Sequence, residues 1–149
     1  MMLQIPSMIL NRIHTHGEAA YPEEGAGLLL GTTRDDVKQV TEIIPLVNAR
    51  EDVARRNRYL LTPQDYLAAE DEADRLGLDV LGVFHSHPDH PNQPSEFDLQ
   101  WAMPWFSYLI TSVNDGVSTG SRSWLLADDR SQFFSEQLEI LAEGTVLSK

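Results

Sequence analysis

No cysteine occurs among the 149 residues of this chain. That absence removes disulfides, thiolate nucleophiles and cysteine-based zinc clusters together. It also fits a reducing cytoplasm, the compartment expected for the protein. No apolar run approaches the ~18 residues that a membrane span needs, so no membrane partner is expected. The opening Met1-Met2-Leu3-Gln4-Ile5-Pro6 lacks a basic stretch and an apolar core, so no secretory leader is expected there. Basic residues are scarce, 11 against 23 acidic ones, for a formal charge of −12. Such a surface repels phosphate backbones, which argues against nucleic acid as a partner. It promotes solubility, and it would also suit a high-salt cytosol. Repeats, low-complexity tracts and Ser/Gly linkers are missing too, and the length suits one domain over residues 1–149.

What is present is ordered by periodicity and punctuation. Pro6 with Ile9, Ile13 and Ala20 at helical spacing predicts a first helix, stopped at Tyr21-Pro22. The glycine-bounded apolar run 26–32 reads as a buried strand. Val37 to Leu46 reads as the next, with Arg34-Asp35-Asp36 as the turn. Thr62-Pro63 caps a helix over 63–76 that Gly77 ends. Asp79 to Phe84 reads as a central strand running directly into His85. A short helix is expected from Ser95 to about Met103. Strands follow at 107–113 and 121–126, separated by an Asn114-Asp115-Gly116 turn. Phe133 to Ile140 fits a strand or a helix equally. Strands alternating with helices give an α/β layer with a mixed sheet. Arg50, Arg55, Arg56 and Arg58 crowd together, as a solvated loop or as a docking patch for an acidic partner.

The chemistry concentrates at residues 85–98. His85 and His87, at i and i+2 on a strand end, project to the same side. Each neutral imidazole can offer one nitrogen to a metal. Pro88 turns the chain, and Pro91 and Pro94 stiffen the excursion that follows. Ser95-x-x-Asp98 has the form of a capping box, which needs no metal but puts Asp98 on a first helical turn. Two imidazoles and one carboxylate leave a fourth position open, the arrangement of a catalytic zinc site. Capping explains Ser95 and Asp98, but not their place beside both histidines between a strand end and a helix start. His14-Thr15-His16 has the same spacing without a matching acidic residue, and reads as a helix-surface pair. Asp89-His90-Pro91 reads as a tight loop. Trp101, Trp105 and Trp124 read as core or wall residues.

His85-Ser86-His87-Pro88, six residues, then Ser95-x-x-Asp98 resembles the JAMM motif of the MPN-domain (Mov34/MPN/PAD-1) metalloproteases. Ten residues separate His87 from Asp98, as in that family. The motif's upstream half, Pro-x-Glu-x-Cys-Gly-x-Leu-x-Gly, stands here as Pro22-Glu23-Glu24-Gly25-Ala26-Gly27-Leu28-Leu29-Leu30-Gly31. Matching Pro22, Gly27, Leu29 and Gly31 puts the family's glutamate on Glu24, with Ala26 where a cysteine is frequent. The resemblance spans roughly residues 5–135 and is similar to the compact bacterial form that includes sulfur-carrier-protein–cysteine hydrolases.

That resemblance implies a single MPN (JAB1-like) domain with a mixed, curved β-sheet flanked by helices. It implies one Zn2+ per chain, held by His85, His87 and Asp98. Glu24 would be the general base and acid, and Ser95 a donor to the tetrahedral oxyanion. The implied reaction is hydrolysis of an amide bond at the C-terminal Gly-Gly of a ubiquitin-like or sulfur-carrier protein, the leaving group being cysteine or lysine. Asn57, Arg58 and Tyr59 would line a groove for the substrate tail, and a homodimer is left open. The alternative is a catalytically inactive MPN scaffold. A nucleoside deaminase shares the layered architecture, but it needs Pro-Cys-x-x-Cys zinc ligands that this chain cannot supply.

Overall fold

A computed structural model describes residues 2–46 and 61–142. Seven strands and three helices occur among them: β1 (Met2–Pro6), α1 (Ser7–Ala20), β2 (Ala26–Arg34), β3 (Val37–Leu46), α2 (Pro63–Leu76), β4 (Asp79–Pro88), α3 (Glu96–Trp101), β5 (Ser107–Asn114), β6 (Val117–Leu126) and β7 (Phe133–Leu141). The strands join in the order β1-β3-β2-β4-β5-β6-β7, and β7 returns to β1 in parallel, so the sheet closes. It is mixed: β4 and β5 run parallel, while β2 is antiparallel to both β3 and β4.

One expectation changes and one open reading is decided. Met2–Pro6 is a strand, so Pro6 ends β1 and α1 starts at Ser7. Its alternating burial, with Leu3 and Ile5 fully enclosed, is the strand signature within a segment too short to announce itself. The ambiguous 133–140 segment is a strand because β6 and β1 both offer it a partner. The capping predictions hold for α2, where Thr62 and Asp65 form a reciprocal capping box and Gly77 adopts a left-handed conformation.

The core falls into two clusters. Leu10 and Ile13 of α1 pack with Leu3, Ile5, Leu29, Val40, Ile43, Leu81, Phe84 and Leu109. Ala69 of α2 and Ala102, just after α3, pack with Leu28, Val83, Phe106, Tyr108 and Leu126. Alternation along β4 therefore aims Phe84 toward the α1 cluster, and Val83, His85 and His87 toward α2 and α3. Close approach demands glycine at two points beside this strand. A Cβ on Gly82 would lie 1.9 Å from the Ser107 carbonyl oxygen, and one on Gly27 would lie 2.3 Å from the Phe84 ring. Trp101 and Trp105 are both 64% exposed, so of the expected core or wall roles the core is excluded for them. Trp105 walls two surface pockets, whereas Trp124 is half-buried against the α2/α3 cluster.

Tyr66 lies in that cluster on α2, beside Phe106. Burial, helped by the Asp65 carboxylate, pushes its phenol up to about 12 from an ordinary 10.0. A raised folded value means its contribution to stability is complete below pH 10.0 and is lost as pH climbs through about 12. Tyr66→Phe is expected to lose less stability than the parent between about pH 8 and about pH 11 in urea titrations. Equal losses would show that the phenol is not held in this way.

Candidate metal centre

β4 carries His85 and His87 to its C-terminal end, and both are buried. α3 then sets Asp98 opposite them. Its N-terminus is fixed by a reciprocal capping box, in which the Asp98 N–H donates to Ser95 Oγ (3.1 Å) and the Ser95 N–H donates to Asp98 Oδ2 (2.8 Å). The same carboxylate faces both imidazoles, with His85 Nε2 at 3.3 Å from Oδ1 and His87 Nε2 at 3.4 Å from Oδ2. Burial alone would push the Asp98 carboxyl up. The charge of His85, contacts from both imidazoles and the Ser95 N–H outweigh it and hold the group far below the usual carboxylate range. Asp98 is thus an anion at neutral pH in a nearly closed site, as a metal ligand must be.

Glu24 arrives from the loop between α1 and β2 and is buried, while Glu23 is half-exposed. Its Oε1 lies 3.6 Å from His85 Nδ1. Glu24, His85 and His87 present ligand atoms within 4.8 Å of one another. A cleft of about 380 Å³ opens on this group, lined by Glu24, His87, His90, Pro91, Gln93, Pro94 and Ser95. All five residues singled out in the sequence therefore converge. Asn57, Arg58 and Tyr59, like the arginines at 50, 55, 56 and 58, lie outside the described residues.

Four residues gain roles the sequence reading did not assign. Ser86, between the two histidines, points to the opposite face of β4. Its Oγ accepts the Gly25 N–H at 2.8 Å, and its own N–H donates to the Gly25 carbonyl at 2.9 Å. The loop holding Glu24 is thereby pinned to the strand holding the histidines. His90 lines the cleft. His16 belongs to the pair set aside as a surface feature, yet its Nε2 bonds the Ala26 carbonyl at 3.1 Å and its ring packs edge-on against Phe84. His14 bonds Ser121 on β6, so that pair is architectural. The available signal for Ser86 was alternation itself, since the residue between two same-facing histidines on a strand must face away from both.

Ser86→Ala leaves the buried Gly25 N–H without its acceptor. A stability loss of about 1–3 kcal/mol is expected, with faster exchange of the Gly25 amide. Unchanged exchange at Gly25 would show that the hydroxyl does not anchor the loop.

A closed mixed sheet offering a His-x-His strand end to a helix-capping aspartate is the JAB1/MPN architecture. The chain superposes on a JAB1/MPN domain protein from Archaeoglobus fulgidus with a TM-score of 0.59 at 20% identity, over 94% of this chain and 98% of that one. The model of the prokaryotic homologs of the JAB domain (Prok-JAB) matches residues 6–127, and the chain belongs to that family. It is 32% identical to a "Probable TtuB-protein conjugate cleaving protease" of Thermus thermophilus, over 86% of this chain and 78% of that protein. It is 33% identical to a desampylase of Haloferax volcanii, over 66% of this chain and 68% of that protein. The solution structure of a Salinibacter ruber protein shares 44% identity and a TM-score of 0.74, covering 98% of this chain and 96% of that one.

Proposed function

We propose that this protein is a zinc-dependent peptidase or isopeptidase that cleaves an amide bond at the C-terminal Gly-Gly of a ubiquitin-like or sulfur-carrier protein. The observation that carries this reading is the meeting of Glu24 with His85, His87 and Asp98 in one buried cluster at the floor of a cleft, from segments about sixty residues apart. The likeness to a conjugate-cleaving protease and a desampylase supports the substrate class.

The donor set suits zinc. Imidazole nitrogens and a carboxylate are its usual ligands, and here one buried carboxylate stands 3.3 and 3.4 Å from the two imidazoles. His85, His87 and Asp98 would hold the ion. When bound, zinc supplies Lewis acidity, polarising the scissile carbonyl and making water acidic near neutral pH. Glu24 takes a proton from the attacking water and returns it to the departing amine, serving as base and then as acid. Ser95 accepts the Asp98 N–H with an Oγ lone pair, which leaves its hydroxyl proton to donate to the carbonyl oxygen as charge gathers there. Pro91 and Pro94 form an apolar wall that a Gly-Gly tail can lie against without side-chain conflict.

The test is incubation of the zinc-loaded protein with carrier proteins amide-linked through their terminal glycine to cysteine or to a lysine side chain. Release of free carrier, seen by intact mass and stopped by a chelator, is expected. If zinc is bound and neither substrate is cut, the hydrolase reading fails and the assembly-module reading replaces it.

A further inference from the structure

One histidine of the metal centre is held by the backbone of the loop that walls the cleft. His87 Nδ1 lies 2.8 Å from the Pro91 carbonyl oxygen. Because a carbonyl only accepts, Nδ1 donates to it, and the nitrogen a metal would take is the other one, Nε2, on the Asp98 side. The orientation of His87 therefore depends on where the loop puts residue 91. Pro91 has no N–H with which to anchor itself. The loop enters at Asp89, whose N–H donates to the Val113 carbonyl, and leaves at the Ser95 cap. Between these ends the chain meets β6. The indole Nε1–H of Trp124 donates to the Asn92 carbonyl at 3.0 Å, one residue beyond Pro91. The indole is itself sandwiched in place, because the Arg122 guanidinium lies 4.3 Å over its ring and its inner side packs into the α2/α3 cluster.

We propose that Trp124 is a positioning residue for the metal centre: its indole N–H clamps Asn92 and so fixes the Pro91 carbonyl that orients His87. The proposal rests on the zinc reading above. Trp124 touches neither substrate nor metal. It acts by limiting the freedom of the loop, so that His87 is presented with its Nε2 already aimed. Outer partners of metal-bound histidines characteristically change metal affinity by about 10–100-fold. An effect transmitted through one further residue belongs at the lower end.

Trp124→Phe keeps an aromatic ring under Arg122 while removing the donor together with part of the ring's bulk. Zinc affinity, measured by competition with a chromogenic chelator, is expected to weaken about tenfold, while the zinc-free protein melts within a few degrees of the parent. Arg122→Ala, which leaves the indole N–H in place, is expected to weaken zinc by a smaller factor. In the unaltered protein, hydrogen exchange at the Trp124 indole is expected to slow when zinc is added, a readout that does not depend on whether a variant folds. If the parent binds zinc while Trp124→Phe binds it equally well, or while indole exchange ignores zinc, the clamp is refuted and the metal reading stands. If the parent itself binds no zinc, the metal reading is refuted and the clamp falls with it.

Discussion

Glu24→Gln is expected to lower kcat by about 10²–10⁴-fold while zinc stays bound at one per chain. The exchange keeps the size of a side chain that is buried beside His85, and it leaves the Ser86 anchors on Gly25 untouched. What it removes is the ability to accept a proton. The loss should therefore fall on kcat, with KM close to that of the parent, because the missing interaction belongs to the transition state. Zinc content decides what kind of residue Glu24 is. It stands within 4.8 Å of the ligand atoms of both histidines, so it is near enough to be a ligand instead. A variant that cleaves normally removes it from the mechanism, and one that loses zinc makes it a ligand.

Asp98→Asn should weaken zinc binding by about 100-fold or more, beyond the effect of disturbing an outer partner, and abolish cleavage with it. The substitution separates the two tasks of this residue. The asparagine oxygen can still accept the Ser95 N–H, so α3 keeps its cap and the zinc-free protein should unfold near the parent's midpoint. The negative charge shared by His85 and His87 is gone, however, and the ion loses an anionic donor. Asp98→Ala removes both tasks and should add about 0.5–1.5 kcal/mol of destabilisation from the lost hydrogen bond to the Ser95 N–H. Chelator competition and urea unfolding of the two variants measure the terms separately. If Asp98→Asn holds zinc as tightly as the parent, Asp98 is a helix cap and nothing more.

Much of the site was legible because its signals are local. The i, i+2 spacing of His85 and His87 sends both to one face of any strand, and Ser95-x-x-Asp98 makes a capping box wherever a helix starts there. Both appear in the structure as the sequence predicts them. Glu24 was a different matter: from its neighbours it was one glutamate after a proline, and the glycine register of the family motif picked it out. Gly27 explains why that register exists, since the Phe84 ring occupies the space a side chain would take. Trp101 and Trp105 were legible only as core or wall, and it is the fold that keeps both out of the core.

The sequence by itself determined the elements around His85, His87 and Asp98, the donor types and the absence of any thiolate, because these depend on residue identity and short spacing. Only the tertiary structure decided what the donors face. The antiparallel register that sets Ala26 against His85 carries Glu24 to the imidazoles. Closure through β7 and β1 turns an undecided segment into a strand, and β6 delivers Trp124 to the active-site loop. Those placements come from pairings between strands distant in the chain, which no local pattern of side chains encodes.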